Sequence, residues 1–293
     1  MKRKIYDKLL QWKNEKDGTT ALMIEGARRI GKSYIAERFA EKEYESYILI
    51  DFSKAPARVR GWFDEYLEDI DTLLQNIQLH YKKKLTPRKS LIIFDEVQKC
   101  PRAREAIKAL VEDHRFDYIE TGSLISIKKN VDDILIPSEE DGIEMYPMDF
   151  EEFMWAMGDE VMYPYIRKCF ETNKPMGDFH REAMRYFRQY LIVGGMPQAV
   201  KEYVNSKDFN KVDAIKRQIL RLYRNDIKKY AGSAKTKVSS IFEAIPGQLQ
   251  KNEKKFKLAD LNDEARMRDY DSAFFWLNDA RLANICYNTT APN

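Results

Sequence analysis

At 293 residues the chain is longer than one typical domain and can bury a sizeable core, so we expect two or more domains. Its 44% hydrophobic and 33% charged residues are ordinary for a water-soluble protein, and a net charge of +3 does not indicate a nucleic-acid partner. The three cysteines form no C-x-x-C pair, which argues against a zinc site and fits a reduced cytoplasmic compartment. No run approaches the ~20 apolar residues that span a bilayer, so no membrane association is expected.

The first motif is a glycine-bounded loop between a predicted strand and a predicted helix. A short amphipathic helix opens the chain, and the apolar run Ala21 to Ile24 then leads into GARRIGKS, which matches G-x-x-x-x-G-K-[ST]. In this context the backbone N–H groups of the loop and the helix N-terminus bind phosphate. We therefore assign nucleotide binding to the loop and the residue after it: Gly26, Ala27, Arg28, Arg29, Ile30, Gly31, Lys32, Ser33 and Tyr34.

Two side chains of this loop have separate expected roles. Lys32 is predicted to reach the β- and γ-phosphates, and it therefore counts as a catalytic candidate as well. Ser33 is predicted to place its hydroxyl on Mg²⁺. The chain contains no Asn/Thr-Lys-x-Asp guanine-reading signature, which favours ATP and ADP over guanine nucleotides.

The second motif is an apolar run that ends in two adjacent acids. A buried strand ending at Asp51 and a helical stretch from Val59 to Tyr81 separate it from the loop. The run SLIIFDE then reads as a central strand whose Asp95 supports Mg²⁺ and whose Glu96 activates the attacking water. Such a run alone is a weak signal, but together with the loop it predicts one Mg-nucleotide site.

A third strand-like segment ends in small hydroxyl residues. Arg102 to Asp113 reads as a helix, and the segment Phe116 to Ser123 follows it. Thr121 and Ser123 are both candidates for a polar contact with the γ-phosphate, and a plain Thr-Gly-Ser turn is the alternative.

The chain then changes from alternating strands and helices to helices alone. Lys128 to Asp141 reads as a loop, and Ile143 to Pro147 as the last strand of the core. Asp149 is predicted to cap the helix Phe150 to Met157. Further helices are predicted at Tyr165 to Glu171, Phe179 to Ile192, Gln198 to Asn205 and Phe209 to Tyr230, the last with a basic surface.

The end of the chain predicts a winged-helix-like domain. A helix is expected up to a break at Pro246-Gly247, a second helix at Asp271 to Leu282, and a β-like run at Ala283 to Tyr287. We therefore divide the chain into a core (1–158), a helical, lid-like domain (159–232) and a winged-helix-like domain (233–293). The predicted class is α/β: a P-loop NTPase parallel sheet flanked by helices, then an all-α region and the winged-helix-like domain.

Five segments in this order carry a resemblance to a family. The segments are GARRIGKS, LIIFDE, the strand-end TGS, YPMDFEEF and YLIVGGMPQAV. The chain resembles prokaryotic AAA+-type ATP-binding proteins that carry an N-terminal ATPase core and a C-terminal domain of uncertain function. The resemblance spans roughly Tyr6 to Cys286, and MDFEEF and GGMPQAV are its more specific parts.

The resemblance carries its own expectations. It implies that the Asp-Glu strand lies between the phosphate-loop strand and the TGS strand, and that Thr121 or Ser123 senses the γ-phosphate. Members usually continue into a nuclease-like α/β domain, whereas this chain stops at Asn293, so a shortened form of a longer protein is expected. An oligomer is compatible with the resemblance, but no arginine stands out as one that acts on a neighbour's nucleotide, although Arg102, Arg104 and Arg115 lie in the right general part of the core.

Three functions remain open on the sequence alone. The first is a Mg²⁺-dependent ATPase in which hydrolysis moves the domains against one another. The second is a nucleotide-gated module with little turnover, read by an unknown protein client. The third is DNA binding through the winged helix and the basic residues Lys251, Lys254, Lys255 and Lys257.

Overall fold

The computed structural model describes residues 1–123, 138–252, 255–262 and 266–286. Its core is a five-stranded parallel sheet in the order β2-β3-β4-β1-β5. The strands are β1 (Ala21–Glu25), β2 (Ser46–Asp51), β3 (Ser90–Asp95), β4 (Asp117–Gly122) and β5 (Glu140–Glu144). The helices of the core are α1 (Ile5–Lys16), α2 (Lys32–Glu43), α3 (Ala57–Glu65), α4 (Ile70–Tyr81), α5 (Pro101–Glu105) and α6 (Ile107–Glu112).

Helices cover both faces of this sheet. Alternate residues of β3 point to opposite faces, so that Leu91 and Ile93 pack towards α1 and α2 while Ile92 and Phe94 pack towards α3 to α6. Because both faces are buried, the strand is a continuous apolar run rather than an alternating one. The predicted α/β class of the core is confirmed.

The strand order differs from the expectation. β4, the strand that ends in Thr-Gly-Ser, pairs with both β1 and β3, so it lies between the phosphate-loop strand and the Asp-Glu strand. The expectation that the Asp-Glu strand lies between the phosphate-loop strand and the Thr-Gly-Ser strand is therefore wrong. Strand order depends on pairing between distant segments, and no local pattern in these strands specifies it.

Several predicted boundaries of helices and strands also differ from the observed ones. The helical stretch from Val59 to Tyr81 forms two helices, because α3 ends at Glu65 and the Asp69 side chain caps α4 by accepting from the Thr72 N–H at 3.1 Å. The last core strand is Glu140–Glu144 instead of Ile143 to Pro147, since β5 pairs with β1 from Ala21 onwards. Residues 128–137 of the predicted loop lie outside the described residues.

After the sheet the described chain is helical. The helices are α7 (Phe150–Ala156), α8 (Met162–Glu171), α9 (His180–Val193), α10 (Pro197–Ser206), α11 (Phe209–Tyr230), α12 (Lys235–Gln250) and α13 (Met267–Asp279). The predicted cap of α7 is confirmed as a capping box: Asp149 accepts from the Glu152 N–H at 2.9 Å, and the Glu152 carboxylate accepts from the Asp149 N–H at 3.2 Å.

The C-terminal prediction is only partly met. α12 continues through Pro246, so the predicted helix break is wrong; its apolar face at Val238 and Ile241 packs in one cluster with α13. Residues 283–286 are not a strand, and the described part of 233–286 contains no strand that could form a wing. Tyr287 and the tail after it lie outside the described residues, as does Lys254.

Candidate functional site

The phosphate loop lies at the carboxyl edge of the sheet, between β1 and α2. Gly26 has φ 146°, and a Cβ there would lie 2.2 Å from the Met145 carbonyl oxygen, so a side chain would push the loop away from the end of β5. Gly31 has φ 95° and precedes the first residue of α2. The glycines therefore let the loop turn tightly into a helix N-terminus, where N–H groups face an anion.

The two sequence motifs meet at this edge. The Ser33 hydroxyl donates to Asp95 Oδ1 at 2.6 Å, and the Thr121 hydroxyl donates to the same carboxylate oxygen. A serine hydroxyl next to a carboxylate is an oxygen donor pair of the kind that Mg²⁺ uses when phosphates and water complete its shell. The residues present therefore fit a magnesium ion. The described residues contain no cluster of three or more His, Cys, Asp or Glu side chains able to hold a metal alone.

Glu96 is held in place by its backbone and by two neighbours. Its φ of 55° turns the chain at the end of β3, so its side chain does not continue the strand's alternation. Its N–H donates to the Thr121 hydroxyl at 3.3 Å, and its carboxylate accepts from Gln98 Nε2. Gln98 was missed in the sequence, because an amide two residues beyond the motif carries no distinguishing pattern.

Lys32 is buried beside the loop, with only 6% of its surface exposed. Its ammonium group donates to the carbonyl oxygens of Gly26 and Ala27, both at 2.9 Å. Burial lowers the pKa of Lys32 to about 8, and the nearby carboxylates of Glu96 and Asp95 oppose that effect. A phosphate bound at the loop would stabilise the charged form.

A cavity of about 630 Å³ opens above the loop. One wall is formed by the core and the other by helices that follow the sheet. Its lining residues are Met1, Arg3, Arg29, Gly31, Lys32, Ser33, Tyr34, Glu96, Ala156, Pro197, Gln198, Lys201, Val204 and Asn205. A volume in this range suits a ligand of nucleotide size.

The buried Arg3 joins the loop to the helical wall. Its guanidinium donates to the Ile30 carbonyl at 2.9 Å, to the Tyr146 carbonyl at 2.6 Å and to the Glu152 carboxylate at 3.1 Å. Sequence reasoning missed this residue, because its partners lie 27 to 149 positions away. Arg3 fixes both the loop and the first turn of α7 beside the cavity.

The two more specific segments of the resemblance contact each other. The Met148 N–H donates to the Gly195 carbonyl at 2.7 Å, and the Tyr190 hydroxyl donates to the Met148 carbonyl at 2.9 Å. A Cβ on Gly195 would lie 2.1 Å from the Met148 carbonyl oxygen, so only glycine allows this approach. The contact places Pro197, the first residue of α10, at the cavity wall.

Six of the predicted site residues line the cavity: Arg29, Gly31, Lys32, Ser33, Tyr34 and Glu96. The other loop residues, Gly26, Ala27, Arg28 and Ile30, do not line it. Asp95 and Thr121 lie behind the lining residues in contact with Ser33 or Glu96, while Ser123 is buried directly after β4 and does not line the cavity. Arg102, Arg104 and Arg115 each pair with a carboxylate of their own chain.

Comparison with known families assigns the core. The profile of the AAA domain family matches residues 18–154, which include the loop, Asp95, Glu96 and Thr121. Residues 18–154 of the core are therefore similar to AAA domains. Residues 184–293 match a domain of unknown function, DUF8612. No curated protein matches the chain.

Solved structures are also similar to this chain, and one of them supports the same fold. The Walker-type ATPase PABY2304 of Pyrococcus abyssi is similar with a TM-score of 0.55 and 15% identity, covering 95% of this chain and 89% of that one. AMPPCP-bound DnaA from Aquifex aeolicus matches with a TM-score of 0.42 and 11% identity over 97% and 90% of the two chains. ORC1 of Aeropyrum pernix in complex with DNA matches with a TM-score of 0.40 and 8% identity over 96% and 84%. Of these three, the first has a TM-score high enough to support the fold of this chain. None of the described helices of this chain is long and apolar enough to cross a membrane.

Proposed function

We propose that this protein is a Mg²⁺-dependent ATPase that converts ATP to ADP and phosphate. The observation that carries the proposal is the 2.6 Å contact between Ser33 and Asp95 beneath a nucleotide-sized cavity. It unites two motifs that are 62 residues apart at the end of a phosphate-binding loop.

The residues supply what phosphoryl transfer to water requires. The loop N–H groups and Lys32 hold the phosphates, and Ser33 with Asp95 holds the metal. Mg²⁺ held by Ser33 and Asp95 would supply positive charge that stabilises the negative charge developing on the phosphate. Glu96 accepts a proton from the water that attacks the γ-phosphorus, the bond to the ADP oxygen breaks, and Gln98 keeps the Glu96 carboxylate in position.

Two substitutions test the proposal. Glu96→Gln should leave ATP binding within about threefold and slow phosphate release at least tenfold, because the amide cannot accept the proton. Lys32→Ala should weaken ATP binding itself. Steady-state phosphate release and calorimetry with Mg-ATP measure the two effects. Equal turnover in the Glu96→Gln variant would remove Glu96 from its role, and absence of binding heat in the parent chain would overturn the proposal.

A nucleotide-gated switch is the second candidate, and one observation favours it. α11 contacts the phosphate loop directly: Asp226 pairs with Arg28, and the Tyr223 hydroxyl donates to the Arg28 carbonyl. A change in the loop between ATP and ADP would therefore act on the helices that follow. Protease accessibility of the 159–286 region that differs between ATP and ADP, with phosphate release near background, would favour this function.

DNA binding has weaker support than either. Several basic side chains of α11 are engaged within the chain, since Arg217 pairs with Asp213, Arg224 with Glu243, and Lys216 donates to the Ile192 carbonyl. Lys251 likewise pairs with Asp260. DNA affinity that falls steeply with salt would revive this candidate.

A further inference from the structure

Two adjacent arginines of the phosphate loop have different surroundings. The Arg28 guanidinium pairs with Asp226 of α11 at 2.5 Å, and the Arg28 carbonyl accepts from the Tyr223 hydroxyl at 2.8 Å. Asp226 is 8% exposed. α11 therefore holds both the side chain and the backbone of Arg28, and this guanidinium does not line the cavity.

Arg29 is exposed and lines the cavity together with Lys32 and Glu96. It makes no hydrogen bond or ion pair within the part of the chain that the structure describes. Its φ is 68°, a conformation in which glycine is unstrained and a residue with a side chain is not. The loop thus carries a strained arginine at a position where glycine would form the turn more easily, and its cation faces the space above the loop.

We infer that Arg29 contacts the terminal phosphate of the bound nucleotide, as a catalytic residue supplied by the same chain. The inference rests on the proposed function. Arg29 belongs to the loop whose N–H groups hold the phosphates, so its side chain is at the phosphate end of the cavity. A guanidinium matches the geometry of phosphate oxygens, and its hydrogen bonds to them become stronger as negative charge develops on those oxygens. Tyr223 and Asp226 are positioning residues, because by fixing Arg28 they set the backbone from which Arg29 extends.

The substitution Arg29→Gly separates this role from a structural one. Glycine removes the cation and relieves the φ of 68°, so the melting temperature should not fall. Calorimetry with Mg-ADP and with a Mg-bound, non-hydrolysable β,γ-methylene ATP analogue should show analogue affinity at least tenfold lower and ADP affinity changed less than threefold. Arg29→Lys should recover part of the analogue affinity. Arg38→Ala, which removes the same charge from an exposed surface of α2, is the control and should change neither affinity by more than twofold.

The positioning role has its own measurement. Asp226→Asn keeps the size of the side chain but removes the charge that holds Arg28, and it should lower analogue affinity about threefold without altering ADP affinity. An unchanged ratio of analogue affinity to ADP affinity in the Asp226→Asn variant would overturn the positioning role.

Other results separate the two ideas. Arg29→Gly with unchanged analogue affinity, or with equal losses for both nucleotides, would overturn the contact with the terminal phosphate while leaving the proposed ATPase intact. A parent chain that binds neither nucleotide would overturn the proposed function and this inference with it.

Discussion

Adjacent residues of β4 enter two buried polar clusters of opposite character. On the face towards α2, Thr121 joins Asp95, whose carboxylate accepts from two hydroxyls and lies next to the cavity. On the other face, Glu120 is fully buried beside Glu140 of β5, and Arg104 of α5 pairs with Glu140 at 2.7 Å. The first cluster borders a space for ligands, and the second is enclosed by the protein.

The enclosed cluster depends on a proton. No N–H group or hydroxyl of the described residues donates to either Glu120 carboxylate oxygen, and the hydrogen-bond partner of Glu120 is the carboxyl group of Glu140. Burial raises the pKa of Glu120 well above 4.5, and the neighbouring Glu140 raises it further. A shared proton between the two carboxyl groups, with Arg104 on one of them, therefore balances the charge. A carboxyl group therefore supports ligand chemistry on one face of the sheet and a neutralised structural contact on the other.

The largest effect should come from removing the cation of the enclosed cluster. Arg104→Met leaves two buried carboxyl groups with one proton and no guanidinium, which costs about 3–5 kcal/mol of unfolding free energy at pH 7. The loss should be smaller at pH 5, where a second proton can bind. Urea denaturation at both pH values measures it. Arg102→Met, whose side chain is 55% exposed, is the control and should cost less than about 1 kcal/mol. Equal losses in the two variants would contradict the account.

A substitution in the cluster beside the cavity should lower activity and leave stability nearly unchanged. Asp95→Asn keeps an oxygen for Ser33 and Thr121 but removes the charge for Mg²⁺, so turnover should fall about 100-fold, or roughly 2.7 kcal/mol of barrier. Phosphate release at saturating Mg-ATP checks this. Asp51→Asn, at the matching position of the neighbouring strand, should keep turnover within about threefold. A comparable loss of turnover in both variants would mean that Asp95 has no specific role in binding the metal.

The proton of the enclosed pair predicts how stability varies with pH. With its pKa raised above 4.5, Glu120 keeps a proton in the folded state that the unfolded chain has lost, so stability falls as pH rises above that value. Glu120→Gln removes this dependence, and its advantage over the parent should grow by up to about 1.4 kcal/mol per pH unit between pH 5 and pH 8. Unfolding free energies across that range test it, and a constant difference would contradict the shared proton.

The smallest effect concerns nucleotide affinity in mildly alkaline solution. The Lys32 pKa of about 8 means that the cation is increasingly lost above that pH, whereas bound phosphate favours the charged form. Affinity for Mg-ATP should fall up to tenfold per pH unit above pH 8, with protons taken up on binding. Calorimetry in buffers of different ionisation enthalpy measures the uptake. Affinity independent of pH between 7 and 9.5 would contradict the lowered pKa.

The core motifs could be predicted because each is a local pattern. The loop, the apolar run ending in Asp95 and Glu96, and the cap at Asp149 all depend on residues within a few positions. The sequence did not show that β4 separates β1 from β3, because strand order is set by pairing across distant segments. It also did not show the enclosed cluster, since Glu120 and Glu140 are 20 residues apart and belong to strands on either side of β1.

The C-terminal errors have a different cause. Pro246-Gly247 is a strong break signal locally, yet packing of α12 against α13 keeps the helix continuous. Tertiary contacts also explain why Arg3 was missed, since its role comes from the Ile30 carbonyl 27 positions away. Gln98 was missed for a different reason: it is close in sequence to Glu96, whose carboxylate it contacts, but an isolated amide carries no distinguishing pattern.

The length of α11 determines how far a movement of the phosphate loop is transmitted through the protein. Its 22 residues make an unbroken rod of about 33 Å, with Tyr223 and Asp226 on the phosphate loop near one end and Phe209 stacked on Tyr203 at the other. The loop contacts lie about 21–26 Å from Phe209 along the helix, so a tilt of about 5° moves the Phe209 end by about 2 Å. A displacement of that size is enough to break or remake a hydrogen bond, so a small adjustment around a phosphate would change contacts about two helical diameters away.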